Sequence, residues 1–255
     1  MKIFNESKEG LFGSSMNWIN ARLPYLYKNK IYPHWDIRNV NHGNPSDQDR
    51  ITPHIIEPKK QNANPGETVN LLDIERYQYT DFKEANFYFN EYFQFCSSIT
   101  GQLDIDFIPE KCLGIHFRGT DKLTNNKDCK IINLTAFLLK LESFLKDRCF
   151  ESVFVISDEA DSKQTIISFV KNLGVTVLST HLPPHFHKTL ASNPDKLSIT
   201  KNSILEMLLL SKCGCVIKSH SAFSSWAKII NPSLEMYRVN ECKNNWFPDY
   251  YLPEF

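Results

Sequence analysis

An alternation of β-rich runs and helical stretches after about residue 110 is the feature that most constrains the fold. Five short runs are predicted as strands: Cys112 to Phe117, Ser152 to Ser157, Val175 to Ser179, Cys215 to Lys218 and Glu235 to Val239. Four stretches between or after them have helical periodicity: Leu134 to Lys146, Ser162 to Leu173, Ser203 to Ser211 and Phe223 to Ile230. This order is typical of a parallel sheet flanked by helices, so the second half of the chain is predicted to be Rossmann-like and of the α/β class.

The first hundred residues are less regular and predict a smaller lobe. Its expected elements are a helix from Ser14 to Tyr27, a short β-like run near Ile31 to Trp35, a polar loop through Asn41 to Asp49 and an aromatic helix from Phe82 to Phe95. Turn residues at Asn64-Pro-Gly66 lie within that lobe and do not read as an interdomain linker. We therefore expect one lobe over residues 1–105 and a Rossmann-like lobe over residues 106–255.

Charge and cysteine content narrow the possible partners. The 29 basic and 29 acidic side chains cancel, so no overall field favours nucleic acid or an anionic membrane. Seven cysteines without a repeated spacing indicate thiols in a reducing compartment. The amino terminus lacks the apolar core of a signal peptide, and no run has the length of a membrane span. These features predict a soluble, cytoplasmic protein with a small, nearly neutral partner.

The segment from Cys112 to Lys122 is the strongest candidate for a binding site. An apolar run ends there in charged residues, and strands of α/β proteins present ligands at their carboxyl ends. Arg118 and Lys122 would face an anion at that edge, most plausibly a phosphate, since a guanidinium holds two phosphate oxygens. The alternative is that Arg118 pairs with Asp121 in a structural bridge, and both arrangements are compatible if Asp121 orients Arg118.

His116 and a serine-rich turn complete this predicted phosphate site. His116 lies two positions before Arg118, so both side chains point to one face of an extended strand, although His116 also suits a core position. The turn from Lys218 to Lys228 runs from a strand into a helix, and helix amino termini attract anions. Ser224 and Ser225 would help to hold a diphosphate, or Ser221 or Ser224 simply caps the helix.

Three further groups of polar residues carry two interpretations each. Glu206 either accepts hydrogen bonds from guanine, which uracil cannot match, or closes a capping box that begins at Ser203. Asp158, at the end of a predicted strand, either holds ribose or sugar hydroxyls or caps the next helix. Three histidines around two prolines either bind metal or belong to a solvated or substrate-lining loop: His181, His185 and His187. We predict no metal site.

Several familiar signatures are absent from the sequence. It contains no Walker loop, no Gly-x-Gly-x-x-Gly, no His-Glu-x-x-His and no Gly-x-Ser-x-Gly elbow. Kinase, dehydrogenase, zincin and esterase functions are therefore disfavoured. An Asp-x-Asp occurs at Asp104-Ile-Asp106, but it precedes a predicted strand instead of ending one, which argues against metal-dependent sugar transfer.

The residues in this order resemble one known group of enzymes. His116-Phe-Arg-Gly-Thr-Asp-Lys122 is similar to the His-x-Arg-Arg-Thr-Asp-Lys motif of the superfamily of α1,6-fucosyltransferases, nodulation fucosyltransferases and protein O-fucosyltransferases. Later segments follow that superfamily's other motifs in the same order: Ser157-Asp158-Glu159, Ser203-Ile-Leu-Glu206-Met and Ala222-Phe-Ser-Ser225. The likeness covers roughly Cys112 to Val239.

The resemblance implies a metal-independent enzyme of the GT-B fold, with two Rossmann-like lobes of which the first is reduced. The C-terminal lobe would hold a nucleotide sugar, and the acceptor would enter between the lobes. Carried over residue by residue, it implies that Arg118 grips the β-phosphate, that the backbone of His116 contacts the nucleotide, that Glu206 reads guanine and that Ser224 and Ser225 bind the diphosphate. The segment Gly10-Leu-Phe-Gly-Ser-Ser-Met-Asn17 is similar to the first loop of such enzymes, which would place Asn17 near the sugar.

Three departures from the family pattern bear on the chemistry. Gly119 replaces the second arginine, and Lys122 would compensate for the lost charge. Asn126 aligns with the glutamate that is the base in the α1,6 enzymes, while Glu206 stands where an aspartate is usual. Asp121, Asp128 or a carboxylate of the first lobe such as Asp36 would then be the base, and the sequence leaves these open.

The sequence thus leads to one hypothesis with two alternatives. The first is an inverting transferase that moves fucose from GDP-fucose to a glycan hydroxyl, without a cofactor and with Arg118, Lys122 and the Ser224-Ser225 helix end stabilising the departing diphosphate. The same fold with UDP-xylose or another GDP-sugar is one alternative. A non-catalytic nucleotide- or glycan-binding module, suggested by Asn126, is the other.

Overall fold

The computed structural model describes residues 1–8, 10–62, 66–102, 111–119, 127–178, 190 and 193–255. The chain forms two compact units. The first takes in the described residues of Met1–Asp104 and His187–Leu205, and the second those of Ile105–Phe186 and Glu206–Phe255. The predicted lobe boundary near residue 105 stays a prediction, because residues 103–110 lie outside the described ranges.

The second unit is built around a five-stranded, all-parallel sheet. Its strands are β6 (Cys112–Phe117), β7 (Ser152–Ser157), β8 (Thr176–Leu178), β9 (Cys215–Lys218) and β10 (Glu235–Arg238), in the order β10-β9-β6-β7-β8. Its helices are α5 (Leu134–Asp147), α6 (Ala160–Asn172), the end of α7 (Lys196–Leu210) and α8 (Ala222–Ile230). From β6, the chain adds β7 and β8 outward on one side of the sheet. It then crosses back and adds β9 and β10 on the other side of β6. This is the predicted Rossmann-like arrangement, with its topological switch point between β6 and β9.

Burial on both faces explains why these strands could be recognised. All six residues of β6 are buried, as is usual for a parallel strand covered by helices on both faces. Helix α5 packs Phe137, Leu141 and Phe144 against this core, and their spacing places all three on one helical face. Gly114 in β6 allows close packing, since a Cβ there would lie 2.7 Å from Leu210 Cδ2 of α7.

The first unit contains a smaller parallel sheet and a two-stranded antiparallel one. The parallel sheet has the order β2-β1-β4, with β1 at Lys2–Ser7, β2 at His34–Asn39 and β4 at Thr68–Asn70. The antiparallel pair is β3 (Ile56–Pro58) with β5 (Phe93–Phe95), and the helices are α1 (Asn17–Asn20), α2 (Leu23–Lys28), α3 (Phe82–Tyr92), α4 (Ser97–Thr100) and the first part of α7. The first unit thus has a parallel sheet of three strands where the second unit has one of five, in line with the expected smaller first lobe.

Three predictions for this unit were wrong in detail. The helix expected from Ser14 to Tyr27 is broken into a π-helical turn (Leu11–Met16), α1 and α2, because Pro24 has no N–H and its ring excludes a continuous helix. The β-like run begins at His34, after Pro33, instead of at Ile31. The aromatic helix stops at Tyr92, and the next three residues pair with β3.

Strand β1 was missed because the residues that it buries are mostly polar. Ile3, Asn5 and Ser7 face inwards, so the strand lacks the apolar alternation by which a half-buried strand is recognised. A separate finding concerns membranes: among the described residues, no helix combines the length and the apolar character that crossing a bilayer requires.

Candidate donor-binding site

The candidate site lies at the carboxyl ends of β6 and β9. Both strands end in charge, with Arg118 directly after β6 and Lys218 as the last residue of β9. The chain then passes through Ser219, His220 and Ser221 into helix α8. Ligands of open α/β sheets bind at such a switch point, so the predicted phosphate site falls where the fold favours one.

Arg118 is held against the start of α8 by two hydrogen bonds. Its backbone N–H donates to the Ser219 hydroxyl at 2.8 Å, and its Nη1 donates to the Ser221 hydroxyl at 3.4 Å. The side chain remains half-buried, neither sealed in the core nor fully in solvent. The structure therefore places a permanent positive charge beside the amino terminus of a helix, whose first N–H groups have no acceptor within the helix.

A buried ion pair between Lys218 and Asp249 holds the residue before α8 in place. Lys218 is 0% exposed and Asp249 is 4% exposed, and the ammonium donates to the carboxylate. The same carboxylate accepts from the Ser221 N–H at 3.2 Å and from the Ser225 hydroxyl at 3.0 Å. The Lys218 ammonium also donates to the Ser221 carbonyl at 2.9 Å. The pair thus fixes both backbone groups of Ser221, which in turn contacts Arg118.

Opposing influences act on the two charges of this pair. Burial by itself would raise the pKa of Asp249, but the Lys218 and His220 charges and the hydrogen bonds hold it below its ordinary value. Burial lowers the pKa of Lys218, and Asp249 partly opposes that effect. Asp249 is therefore a carboxylate at neutral pH, and Lys218 has its counter-ion in place.

Ser224 and Ser225 are fully buried in the first turn of α8. Their hydroxyls donate to the Ser221 carbonyl at 3.3 and 3.2 Å, and Ser225 also accepts from Lys218 at 2.7 Å. Ser221 occupies the N-cap position, but its hydroxyl makes no capping hydrogen bond. The predicted N-cap by a serine hydroxyl is therefore wrong. Contact between these two serines and a diphosphate remains a prediction. The Ser225 N–H donates to the Ser221 carbonyl at 3.3 Å, so the backbone contact would come from the Ser224 N–H, one of the first three of the helix.

His116 lies near the carboxyl end of β6, two positions before Arg118. It is 3% exposed, and its Nδ1 has no hydrogen-bond partner among the described residues. Burial, followed by the nearby Lys218 and Arg118 charges, lowers the pKa of His116, so the ring is neutral at neutral pH. The ring centroid lies 5.5 Å from that of Phe223, and the backbone carbonyl accepts from the Ser219 N–H at 3.0 Å.

Asp158 joins the neighbouring strand end to the site. Its Oδ1 accepts the Gly119 N–H at 2.9 Å, so it does not cap α6, whose N-cap residue is Glu159. Glu159 accepts from the Ser162 hydroxyl at 2.8 Å. A Cβ at position 119 would lie 2.1 Å from Glu159 Oε2, which explains why a glycine fits where the family motif has arginine.

Glu206 does not lie at a helix start, which corrects the sequence prediction. Helix α7 begins at Lys196, so Glu206 is in its interior, and the Ser203 hydroxyl donates to the Ile199 carbonyl at 3.1 Å. The capping-box interpretation is therefore wrong. Glu206 is 7% exposed, and its Oε1 lies 3.5 Å from the Lys163 ammonium. Its predicted contact with guanine stays a prediction.

The described structure leaves several other predicted site residues untested. Asn17 is the first residue of α1 in the first unit and is half-buried. The predicted site residues Asp121 and Lys122 lie outside the described residues, as do Asn126, His181, His185 and His187. Within the described ranges, no group of three or more His, Cys, Asp or Glu side chains is arranged to hold a metal ion.

The alternative bases differ in their surroundings. Asp36 is 2% exposed and accepts from Lys2, Arg38 and Arg50 at 2.9 to 3.1 Å. Although burial would raise its pKa, these hydrogen bonds lower the pKa of Asp36 well below its ordinary value, which makes it unsuited to accept a proton. Asp128 lies in the second unit and accepts from the Asn244 amide at 3.1 Å.

Sequence reasoning missed Lys218 and Asp249 as members of the site. One signal was present, because a lysine that ends a buried parallel strand requires a buried counter-charge. Nothing in the polar and aromatic C-terminal segment identified Asp249 as that partner, since the contact joins residues 31 positions apart.

Comparison with known proteins supports the fold at this point. No family model matches the chain, and no curated protein sequence does. Solved structures do match. The NodZ α1,6-fucosyltransferase soaked with GDP-fucose aligns with a TM-score of 0.56 and 14% identity over 91% of this chain and 92% of that one. Fucosyltransferase NodZ from Bradyrhizobium aligns with a TM-score of 0.56 and 14% identity, over 91% and 93%. POFUT1 in complex with GDP aligns with 0.53 and 10%, over 92% and 96%. The chain therefore has the fold of these fucosyltransferase structures, and the resemblance is confirmed at that level.

Proposed function

We propose that the chain is a glycosyltransferase that transfers fucose from GDP-fucose to a glycan hydroxyl. The observation that carries the proposal is Arg118 beside the start of α8, at the switch point of a fold shared with fucosyltransferase structures that contain GDP or GDP-fucose. A half-buried guanidinium and a helix amino terminus together suit a diphosphate. The second unit is the proposed donor-binding part.

The proposed chemistry is a direct, inverting displacement. The acceptor oxygen forms a bond to C1 of fucose while the bond from C1 to the β-phosphate oxygen breaks, and the acceptor proton passes to a carboxylate. Arg118, Lys122 and the first turn of α8 stabilise the charge that develops on GDP, which is the role that a divalent cation has in other transferases. Asp121 either orients Arg118 or takes the proton, and Asp128 is the alternative base.

Further contacts belong to the same proposal. His116 and Asp158 line the nucleotide side of the strand ends, and Glu206 reads the base. Ser224 and Ser225 belong to the helix turn that binds the diphosphate, Ser224 through its backbone N–H. Asn17 stays the residue predicted to contact the sugar. We also retain the expectation of a reducing, cytoplasmic compartment, in which thiols persist. The glycan acceptor is proposed from the function of the enzyme class alone.

Titration calorimetry with GDP, UDP, GDP-fucose and UDP-xylose, with a chelator present, tests the donor assignment. We expect GDP and GDP-fucose to bind, and Arg118→Ala to weaken GDP about 10- to 100-fold, since charge-assisted hydrogen bonds contribute about 1.5–3 kcal/mol each. Lys111→Ala is the matched control, because it removes one exposed positive charge from the amino end of the same strand. Its affinity should equal that of the wild type.

The remaining outcomes separate the alternatives. A preference for UDP and UDP-xylose would replace the donor but keep the transferase, whereas no nucleotide binding by a folded protein would contradict the proposal. Donor binding without transfer and without slow hydrolysis of GDP-fucose would indicate the non-catalytic module. An affinity of Arg118→Ala equal to that of Lys111→Ala would show that the diphosphate binds elsewhere.

A further inference from the structure

Two cysteines of the second unit lie directly opposite each other in a short antiparallel pairing. Cys129 and Cys242 are bridge partners. The Lys130 N–H donates to the Glu241 carbonyl, and the Lys243 N–H donates to the Asp128 carbonyl, both at 2.8 Å. These bonds flank the two cysteines instead of joining them, so the cysteines form a non-hydrogen-bonded pair.

A non-hydrogen-bonded antiparallel pair has the backbone spacing that a disulfide needs. Its Cα atoms are about 4.5 Å apart with both side chains on one face, and disulfides span Cα separations of about 4.4–6.8 Å. The Cys242 Sγ lies 3.7 Å from the carbonyl oxygen of Asp128, on the segment that carries Cys129, and 3.3 Å from the carbonyl oxygen of Asn244 on its own segment. Both cysteines are thiols in this structure.

Side-chain hydrogen bonds hold the register of the pairing on both sides. The Asn240 amide donates to the Lys130 carbonyl at 3.0 Å, and the Asn244 amide donates to the Asp128 carboxylate at 3.1 Å. The opposition of Cys129 and Cys242 is therefore fixed by four hydrogen bonds, and forming a covalent link would not require the segments to find each other first.

Exposure determines which thiol meets an oxidant. Cys242 is half-buried and Cys129 is fully buried. Another pair of thiols, Cys112 and Cys213, is buried at both members. Cys149 is exposed and serves as an internal comparison. A dissolved reagent therefore reaches Cys242 and Cys149 first, and only Cys242 has a second thiol opposite it in a paired strand.

We propose that Cys129 and Cys242 form a redox site that a small-molecule disulfide, such as oxidised glutathione, converts into an intramolecular disulfide. The deprotonated Cys242 sulfur attacks the small disulfide, which forms a mixed disulfide and releases one reduced thiol. The Cys129 thiolate then attacks the Cys242 sulfur and releases the second reduced thiol. Two protein thiols are oxidised, one small disulfide is reduced to two thiols, and each protein thiol gives up one proton.

The same structure predicts how this reaction depends on pH and what it does to stability. Burial and the Asp249 charge raise the pKa of the Cys242 thiol, against the opposing effects of Arg238, Lys218 and a backbone hydrogen bond at Asn244. Less thiolate is therefore present at neutral pH, and the reaction should accelerate as the pH rises above neutrality. The link closes a loop of more than a hundred residues, and such links raise the melting temperature of a chain of this size by about 5–10 °C.

Peptide mapping of the full chain after oxidation tests the site. The protein is incubated with oxidised glutathione, residual thiols are alkylated, and the non-reduced digest is analysed by mass spectrometry. We expect a peptide pair linked through Cys129 and Cys242, a glutathione adduct on Cys149, and a loss of the link on reduction. A persistent adduct on Cys242 without the link, a link that joins Cys129 or Cys242 to another cysteine, or an unmodified Cys242 would each overturn the proposal.

Two serine variants sharpen the result. Cys129→Ser removes the resolving thiol, so the glutathione adduct should accumulate on Cys242, while Cys149→Ser should leave the Cys129–Cys242 link unchanged. Because Cys129 is fully buried and its variant is the one at risk of misfolding, the wild-type digest decides the matter without it. A Cys129→Ser protein in which Cys242 carries no adduct would contradict the proposed order of attack.

Discussion

Each of the two units buries a carboxylate among cations, but the two clusters differ in where their contacts lead. In the first unit, Asp36 accepts from three cations whose side chains are 21% to 36% exposed: Lys2, Arg38 and Arg50. In the second unit, Asp249 accepts from one ammonium, that of Lys218, which is 0% exposed. Asp36 is thus surrounded by cations that are partly exposed to water, whereas Asp249 and Lys218 form an ion pair in which both side chains are buried.

The difference teaches that a buried charge does not by itself mark a site. Asp36 lies within β2, and its partner Arg50 also donates to Asp47 of the polar loop that follows this strand. Asp249 accepts from Lys218 at the end of β9, and its contacts continue through Ser221 to the half-buried Arg118. We therefore regard the first cluster as a clamp within the sheet and the second as the support of a binding edge.

Removing each carboxylate should separate the two clusters most clearly. Asp249→Leu strands a fully buried ammonium, which costs about 3–5 kcal/mol of unfolding free energy, whereas Asp36→Leu leaves cations that can reach water and should cost about 1–3 kcal/mol. Urea denaturation of both variants measures the difference. The double variant Lys218→Met/Asp249→Leu should recover most of the loss, and a double variant as unstable as Asp249→Leu would contradict the pairing.

Acid titration should reveal the contribution of the clamp in the first unit. The pKa of Asp36 is lowered in the folded protein, so its stabilisation is present above the ordinary carboxyl pKa of about 4 and is lost as the pH falls below that value. Asp36→Asn should therefore be about 2–3 kcal/mol less stable than the wild type at pH 7, and the gap should shrink from about pH 4 downwards. Urea midpoints measured between pH 7 and pH 2 provide the check, and a constant gap would show that Asp36 does not titrate as inferred.

Whether the second cluster supports binding, and not only folding, can be measured with two matched double variants. Lys218→Met/Asp249→Asn keeps an oxygen that accepts the Ser221 N–H, and Lys218→Met/Asp249→Leu does not, while neither leaves a buried charge unpaired. If the proposed donor site is correct, GDP should bind the Asn variant within about threefold of wild type and the Leu variant about tenfold more weakly, the value of one lost hydrogen bond. Titration calorimetry with GDP measures both affinities, at a temperature at which both variants are fully folded.

Equal GDP affinities in these two double variants would mean that the ion pair has a structural role alone. That result would leave the donor site itself intact, since Arg118→Ala tests the site separately. Loss of GDP binding in both variants would instead indicate that the Lys218 charge, not the Ser221 contact, matters to the ligand.

The sheet of the second unit could be predicted because its strands follow simple rules. β6, β7 and β9 have the predicted bounds, since each is a continuous apolar run buried on both faces. The start of α7 could not be predicted, because Lys196 and Thr200 are buried by polar partners. Lys196 donates to Asp49 at 2.5 Å, and Thr200 contacts His42 Nδ1 at 3.1 Å. Hydrophobic periodicity does not register such contacts.

The same distinction holds for the candidate site. Arg118 and Asp158 could be proposed from sequence because each directly follows a predicted strand, and parallel strands end at one edge. Asp249 could not, because a tail residue far along the chain reaches that edge through tertiary contacts. The role of Gly119 was also hidden, since the Glu159 side chain that fills its space belongs to another strand end.

The smallest expected effect compares two glycines, one in each unit. Gly119→Ala would place a Cβ 2.1 Å from Glu159 Oε2, and the carboxylate would have to move and give up its bond from Ser162. Because a carboxylate is the flexible end of its side chain, the cost should be only about 1 kcal/mol. A Cβ at Gly13 in the first unit would meet nothing within 4 Å, so Gly13→Ala should be neutral or stabilise by about 0.5 kcal/mol.

A second substitution shows whether Glu159 is the cause of that cost. Gly119→Ala/Glu159→Ala should be no less stable than Glu159→Ala alone, because the colliding carboxylate is gone. Thermal unfolding of the four variants completes the cycle. The opposite result is that Gly119→Ala destabilises the protein equally with and without the Glu159 side chain. That result would place the strain in the backbone after β6 and would show that contact with Glu159 is not the reason for a glycine at position 119.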